Sequence, residues 1–322
     1  MRASEITGEF EARVKEAEQC IAQILSASEE ILLGKKRALQ IAIACMIAQG
    51  NLLIEDIPGV GKTILAHLLA RVFGLSFQRI QFTSDLLPSD ILGFSIYNRQ
   101  TDSLKFQPGP IFAQLVLADE INRSTPKTQS ALLEAMEERQ VSIEGKTRDL
   151  PQPFFLIATQ NPFFQIGTFP LPESQIDRFT MSMQLGYPDT AAERDLLRGQ
   201  DRRQLLHALK PIATVERLIS LQKLARDIHV SDALLDYLQQ IILHTRESPN
   251  YTHGLSPRAG VSILQCAQAW ALSNRRTMAL PEDIQAILPY VASHRLQYRE
   301  GGGSKDSKEE AVRALLEAVP IP

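Results

Sequence analysis

Apolar positions recur at two different periods along this chain, and the change of period divides it. Near the start Ile6, Phe10, Val14, Ala17, Ile21 and Ile24 return every three or four residues, which predicts one long amphipathic helix. A second helix is expected over 35–49, ended by Gly50. Short apolar runs then take over, and 51–55, 76–82, 115–120, 154–159 and 180–185 read as strands. Helical stretches lie between them, over 64–73 closed by Gly74 and over 125–138 with Pro126 in the first turn. Strands alternating with helices predict an α/β domain on a parallel sheet. Two segments have hairpin character: 94–106, stopped by Pro108-Gly109-Pro110, and 139–150, turning at Gly145.

After Tyr187-Pro188 the strand signals stop. Thr190-x-x-Glu193 reads as a capping box, and helices are expected near 190–199, 214–228, 232–246, 257–274 and 281–296. The organisation is therefore a core with an N-terminal helix over 1–188, an all-helical second domain over 189–299, and a tail over 300–322. Within the tail Gly301, Gly302 and Gly303 form a flexible joint. Beyond it Ala311, Val312, Leu315, Leu316 and Val319 make an apolar face that predicts docking.

Composition narrows the function by exclusion. The 322 residues suffice for one large domain and a smaller companion, each with its own core. A net charge of −3 gives no global bias toward nucleic acid or acidic lipid. Cys20, Cys45 and Cys266 are odd in number and lack metal or redox spacing. Cys45 and Cys266 lie in an apolar and a helical run, so buried apolar roles are expected for them, and free thiols suit a reducing compartment. The longest apolar run, 41–48, is far too short to span a bilayer, and the first residues lack a signal-peptide core. A cytoplasmic protein is the simplest expectation.

The candidate chemistry centres on Asp56-Ile57-Pro58-Gly59-Val60-Gly61-Lys62-Thr63, set between a strand and the helix that Ile64 continues. That context suits a phosphate-binding loop: glycines let the backbone N–H groups converge, and the helix N-terminus adds its positive dipole end. Lys62 would reach the β- and γ-phosphates, and Thr63 would place its hydroxyl on magnesium. Asp56 is a departure, because the pattern usually opens with glycine. The chain carries its own control in Gly145-Lys146-Thr147, which follows a strand without the loop and is not expected to bind phosphate. Asp119 and Glu120 end an apolar strand, at the rim where α/β proteins bind ligands. Asp119 would hold magnesium and Glu120 would orient and deprotonate a water. Asn161 could help position that water, and Arg178 and Arg258 are the candidate cations.

This ordered set, at about these intervals, resembles the AAA+ ATPases. Finer stretches resemble the MoxR branch: Phe82-Thr-Ser-Asp-Leu-Leu-Pro-Ser-Asp90, Asp119-Glu-Ile-Asn-Arg123, Ala158-Thr-Gln-Asn-Pro162, Leu171-Pro-Glu-Ser-Gln-Ile-Asp-Arg-Phe179 and Val319-Pro-Ile-Pro322. The resemblance implies a five-stranded parallel sheet between helices and a smaller all-α lid, with ATP and Mg2+ at their boundary. It implies that Asn161 senses the γ-phosphate and that Arg178 is the finger supplied to a neighbouring subunit. Arg258 becomes the lid arginine, approaching the γ-phosphate as the two domains close about 187–190. It further implies a hexameric ring, a chaperone-like role, partners with von Willebrand A domains, and hairpins that match the inserts of this clade. Arg123 is left open as an interface residue. Two other readings stand beside this one. A nucleic-acid motor would use Lys146 and Arg148, against the acidic balance; a nucleotide-gated adaptor would have no need of Glu120.

Overall fold

The computed structural model describes residues 2–100, 102–161, 167–199, 202–296 and 308–321. Its strands are β1 (Leu52–Glu55), β2 (Phe77–Gln81), β3 (Gly93–Asn98), β4 (Ser103–Pro108), β5 (Leu115–Asp119), β6 (Gln140–Ile143), β7 (Lys146–Asp149), β8 (Phe155–Gln160) and β9 (Met181–Met183). Five of them form one sheet in the order β2-β5-β8-β1-β9, with every pairing parallel. The remaining four make two antiparallel hairpins, β3–β4 and β6–β7. The central strands are apolar up to their C-terminal ends because both faces are covered. Successive side chains leave opposite faces, so Leu52, Ile54, Leu115, Leu117 and Ile157 enter one apolar cluster while Leu53, Val116, Ala118 and Ala158 enter the other. The connection leaving β1 runs to β2 at one edge, while the one leaving its neighbour β8 passes over β1 to β9 at the other. The C-terminal ends of β1 and β8 therefore make the switch point at which such sheets bind ligands.

The helices are α1 (Arg2–Glu29), α2 (Lys36–Ile47), α3 (Lys62–Val72), α4 (Pro88–Leu92), α5 (Pro126–Glu138), α6 (Glu173–Ile176), α7 (Thr190–Leu197), α8 (Arg202–Ala208), α9 (Val215–Arg226), α10 (Asp232–Glu247), α11 (Pro257–Ser273), α12 (Pro281–Ala292) and α13 (Lys308–Ala318). A single apolar cluster joins α1, α2, α3 and one sheet face to the helices from α9 onward. The helical region is therefore seated on the same core as the sheet. The tail docks as its pattern predicts: Val312, Leu315 and Val319 are buried in that cluster. Cys45 and Cys266 are buried too, and burial pushes the Cys266 thiol up to about 12, which keeps it an inert apolar group. Among the described residues no helix is long and apolar enough to cross a membrane.

Several local expectations are corrected. Gly50 does not end α2 by its own backbone freedom: Gln49 takes the left-handed conformation (φ 58°). Glycine is required there for space, since a Cβ would lie 2.5 Å from Thr180. The cap of α7 is Asp189, one residue before Thr190, and its carboxylate accepts from the Ala192 N–H at 2.8 Å. Helix α8 falls where no helix was expected, because among its described side chains only Leu206 is buried and no apolar stripe forms. Strand β9 is shorter than 180–185. The joint at Gly301, Gly302 and Gly303 lies outside the described residues.

Arg295 ties the helical region to the sheet. Its buried guanidinium donates to the Asp177 carboxylate (Nε to Oδ1, 2.7 Å) and to the carbonyls of Asp177 (3.1 Å), Thr180 (3.0 Å) and Phe179 (2.5 Å). Burial lowers its pKa, and the hydrogen bond and charge of Asp177 oppose that. Arg295→Met should cost about 3–5 kcal/mol in denaturant unfolding, because the carboxylate and carbonyls are left without their donor. A loss under about 1 kcal/mol would show that packing alone holds this junction.

Candidate active site

The loop after β1 has the shape its residues predict. Gly59 (φ 88°) and Gly61 (φ 102°) both take conformations that side chains rarely adopt. Gly61 is the N-cap of α3 and no side chain caps that end, so the first amide groups of the helix remain available for an anion. Lys62 opens α3, and its ammonium donates to the carbonyls of Asp56 (2.5 Å) and Ile57 (3.0 Å). Burial lowers its pKa; Asp56, Asp119 and Glu120 act in the opposite direction. The structure thus brings Lys62 and both strand-end acids within electrostatic reach of one another.

The acids are held by neighbours that sequence reading did not single out. Thr159, near the end of β8, donates its hydroxyl to Asp119 Oδ1 (2.6 Å) and accepts from the Glu120 N–H (2.9 Å). Arg79 on β2 grips Asp119 Oδ2 through Nε (3.0 Å) and Nη2 (2.6 Å). Glu120 sits at φ 58°, and its Oε2 accepts from Gln81 (3.0 Å) and from Arg123 (2.8 Å). Arg123, left open above, pairs with the acid of its own chain. Buried Gln129 closes the turn behind the acids by donating to the carbonyls of Ile121, Ser124 and Phe169. Arg79, Gln81 and Gln129 lie in none of the stretches that resemble the MoxR branch, whereas Thr159 falls inside one of them without a role of its own.

Asn161 follows β8, which runs between β1 and β5, so it emerges between the loop and the acids. Its carbonyl lies 3.5 Å from the Asn122 amide nitrogen. A groove of about 720 Å³ opens beside Thr63, lined also by His67, Arg71, Arg79 and His207. Burial holds the His67 pKa low, and the charges of His207, Arg79 and Arg71 add to that; the described residues lining the groove include two arginines and two histidines and no acid. The donor set fits a nucleotide with a divalent cation. The helix end has its amides to offer, Thr63 faces the groove, and Asp119 Oδ1, bonded to Thr159, keeps a second lone pair for a metal, whereas Oδ2 is taken twice by Arg79.

Arg178 and Arg258 are placed together, apart from this group. Both pair with Glu137 near the end of α5: Arg178 Nε lies 3.0 Å from one carboxylate oxygen and Arg258 bonds the other. Ser256 caps α11 and reaches Asp177 with its hydroxyl, at 3.3 Å, so Arg258 is fixed beside the 177–179 turn. The approach of Arg258 to the loop of its own chain is not what this structure displays. The Asp56 carboxylate likewise turns elsewhere, to the N–H groups of Leu185 (2.6 Å) and Gly186 (2.7 Å). Gly145-Lys146-Thr147 lies in the β6–β7 turn and its first strand residues, with no helix after it.

Comparison with known proteins agrees with this geometry. Residues 51–181 match the model of the ATPase family associated with various cellular activities, and residues 243–315 match the AAA lid domain. A Bacillus subtilis protein named YeaC is 43% identical over 91% of this chain and 92% of its own length. The chaperone MoxR1 of Mycobacterium tuberculosis is 37% identical over 91% of this chain and 80% of its own. A crystal structure of a candidate ATPase from Cytophaga hutchinsonii superposes with a TM-score of 0.90 at 32% identity, covering 99% of both chains. With the phosphate loop, the acidic strand end, the sheet order and the helical lid all in place, the chain belongs to the MoxR family of AAA+ ATPases.

Proposed function

We propose that the chain hydrolyses ATP with magnesium, in a ring of like subunits, and uses the turnover to remodel, mature or activate a protein partner. One observation carries this reading: Lys62, Thr63, Asp119 and Glu120 gather at the rim of the sheet, whereas Arg178 and Arg258 are held at Glu137. Phosphoryl transfer needs cations at the developing charge. Two arginines presented together away from their own loop suit a nucleotide bound by the next subunit, and a hexamer is the ring that the family resemblance implies.

Within one subunit each group has a task. Lys62 exchanges the Asp56 and Ile57 carbonyls for the β- and γ-phosphates. Thr63 and Asp119 would hold Mg2+, which when bound neutralises phosphate charge. Thr159 keeps the Asp119–Glu120 backbone in place. Glu120 takes a proton from the attacking water once its carboxylate leaves Gln81 and Arg123, and Asn161 helps orient that water.

The β3–β4 hairpin supports a protein as the partner. Phe94, Ile96, Tyr97 and Leu104 are 48–62% exposed on it, an apolar surface of the kind that marks protein contact. Arg148, a basic residue that a nucleic-acid motor would present, lies instead 3.9 Å over the Phe106 ring. The partner proposed is one with a von Willebrand A domain. DNA and RNA at physiological salt should therefore leave the ATPase rate unchanged, while a cognate von Willebrand A protein should alter it. Several-fold stimulation by DNA would replace this reading with that of a nucleic-acid motor.

A further inference from the structure

Asp56 occupies the loop position where glycine is usual, and it is 6% exposed. A buried carboxylate without compensation is costly, so its hydrogen bonds have to account for it. Oδ1 accepts from the Ile57 N–H at 2.8 Å, and Oδ2 from the N–H groups of Leu185 and Gly186. The same stretch is gripped from its carbonyl side. Lys35, 7% exposed, donates to the carbonyls of Leu185 (2.8 Å), Gly186 (3.0 Å) and Tyr187 (2.6 Å). All three N–H groups of the ammonium are thereby used. Burial lowers the Lys35 pKa, opposed by the charges of Asp56 and Asp189, so acid and base sit in one field.

This stretch leads straight into α7. Asp189 caps that helix, and Ala192 packs so closely on Gly34 that a Cβ there would lie 2.9 Å away. Beyond that contact α7 is exposed, with Leu197 at 83%. Among the described residues Ala192 is its one buried side chain. At its other end the connection reaches Lys62, whose ammonium is bonded to the Asp56 carbonyl.

We infer that Asp56 and Lys35 form a clamp that couples the phosphate loop to residues 185–197, acting as positioning residues and not as phosphate ligands. The inference rests on the nucleotide-binding reading above. When Lys62 turns to phosphate it releases the Asp56 main chain, while the Asp56 carboxylate keeps hold of 185–186. A change at the loop is carried to the start of α7 through that one residue.

Hydrogen exchange with and without magnesium and a non-hydrolysable ATP analogue tests the clamp. In the wild type the analogue should protect both the loop, 56–64, and the segment 185–197. In Asp56→Gly the loop should still be protected, since glycine is the ordinary residue there. Exchange over 185–197 should become about ten- to a hundredfold faster, as expected for losing hydrogen bonds to a charged group, and should no longer respond to the analogue. Lys35→Met opens the other half of the clamp without touching the loop, and should give the same pattern even if Asp56→Gly fails to fold. Loss of loop protection in Asp56→Gly would make Asp56 part of the phosphate cradle and overturn the proposal. An undiminished response of 185–197 in either variant would overturn it as well. No loop protection in the wild type would sink the nucleotide-binding reading itself, and the clamp with it.

Discussion

Glu120→Gln is expected to bind ATP about as well as the wild type and to turn it over about 10² to 10⁴ times more slowly, the usual worth of a positioned general base. That range corresponds to about 3–5 kcal/mol at 1.36 kcal/mol per decade. The substitution is a narrow one. Glutamine keeps the volume and a carbonyl oxygen that can accept from Gln81 and Arg123, the groups now bonded to Glu120 Oε2. The backbone at 120 remains pinned by Thr159, so the loop and its phosphate contacts have no reason to move. What disappears is the capacity to take a proton. Turnover should fall while the dissociation constant of a fluorescent ATP analogue stays put. Hydrolysis at the wild-type rate would remove Glu120 from the role of base. Lost binding would make it a structural part of the nucleotide site.

Much of the site was legible because its groups lie in short contiguous motifs with a distinctive context. Lys62 and Thr63 follow a buried strand and open a helix, and that separates them from Lys146 and Thr147, which the structure places in a hairpin. Asp119 and Glu120 end an apolar strand whose five residues are all buried, so the rim position follows from hydrophobicity alone. The parallel sheet and the helical second half were readable from period for the same reason.

The groups that hold those motifs were not legible. Arg79 meets Asp119 because β2 and β5 pair, a contact between residues 40 apart that no local pattern announces. Glu137 reads as one more acid on the exposed side of α5, yet it collects Arg178 from the core and Arg258 from α11. Gly50 looked like an ordinary helix terminator, and only the packing of Thr180 against it reveals that space is the constraint. Asp56 was visible as a departure from the loop pattern. Its partners at Leu185 and Gly186 lie about 130 residues away and come into reach only because β9 lies beside β1. Period and motif report what a residue does for its own element; long-range pairing decides the rest.

The largest effect is expected at Arg178. Removing a positioned arginine from a P-loop enzyme costs roughly 10³ to 10⁵ in rate, or about 4–7 kcal/mol at 1.36 kcal/mol per decade. Arg178→Ala should thus be nearly inactive while still binding ATP. Its fold should survive, because the turn that carries it is held by Arg295 through the carbonyls of Asp177 and Phe179 and not by the Arg178 side chain. Lys62→Ala should be inactive for the opposite reason: it lacks the phosphate ligand and keeps the arginine. If the catalytic unit is an interface, a nucleotide held by an Arg178→Ala subunit can be served by the arginine of a Lys62→Ala neighbour. The most direct measurement is the ATPase rate of the two inactive variants alone and mixed, with co-assembly verified independently. Activity that reappears on mixing is the predicted result. A mixture that co-assembles and stays inactive would contradict the account and return Arg178 to a role within its own chain.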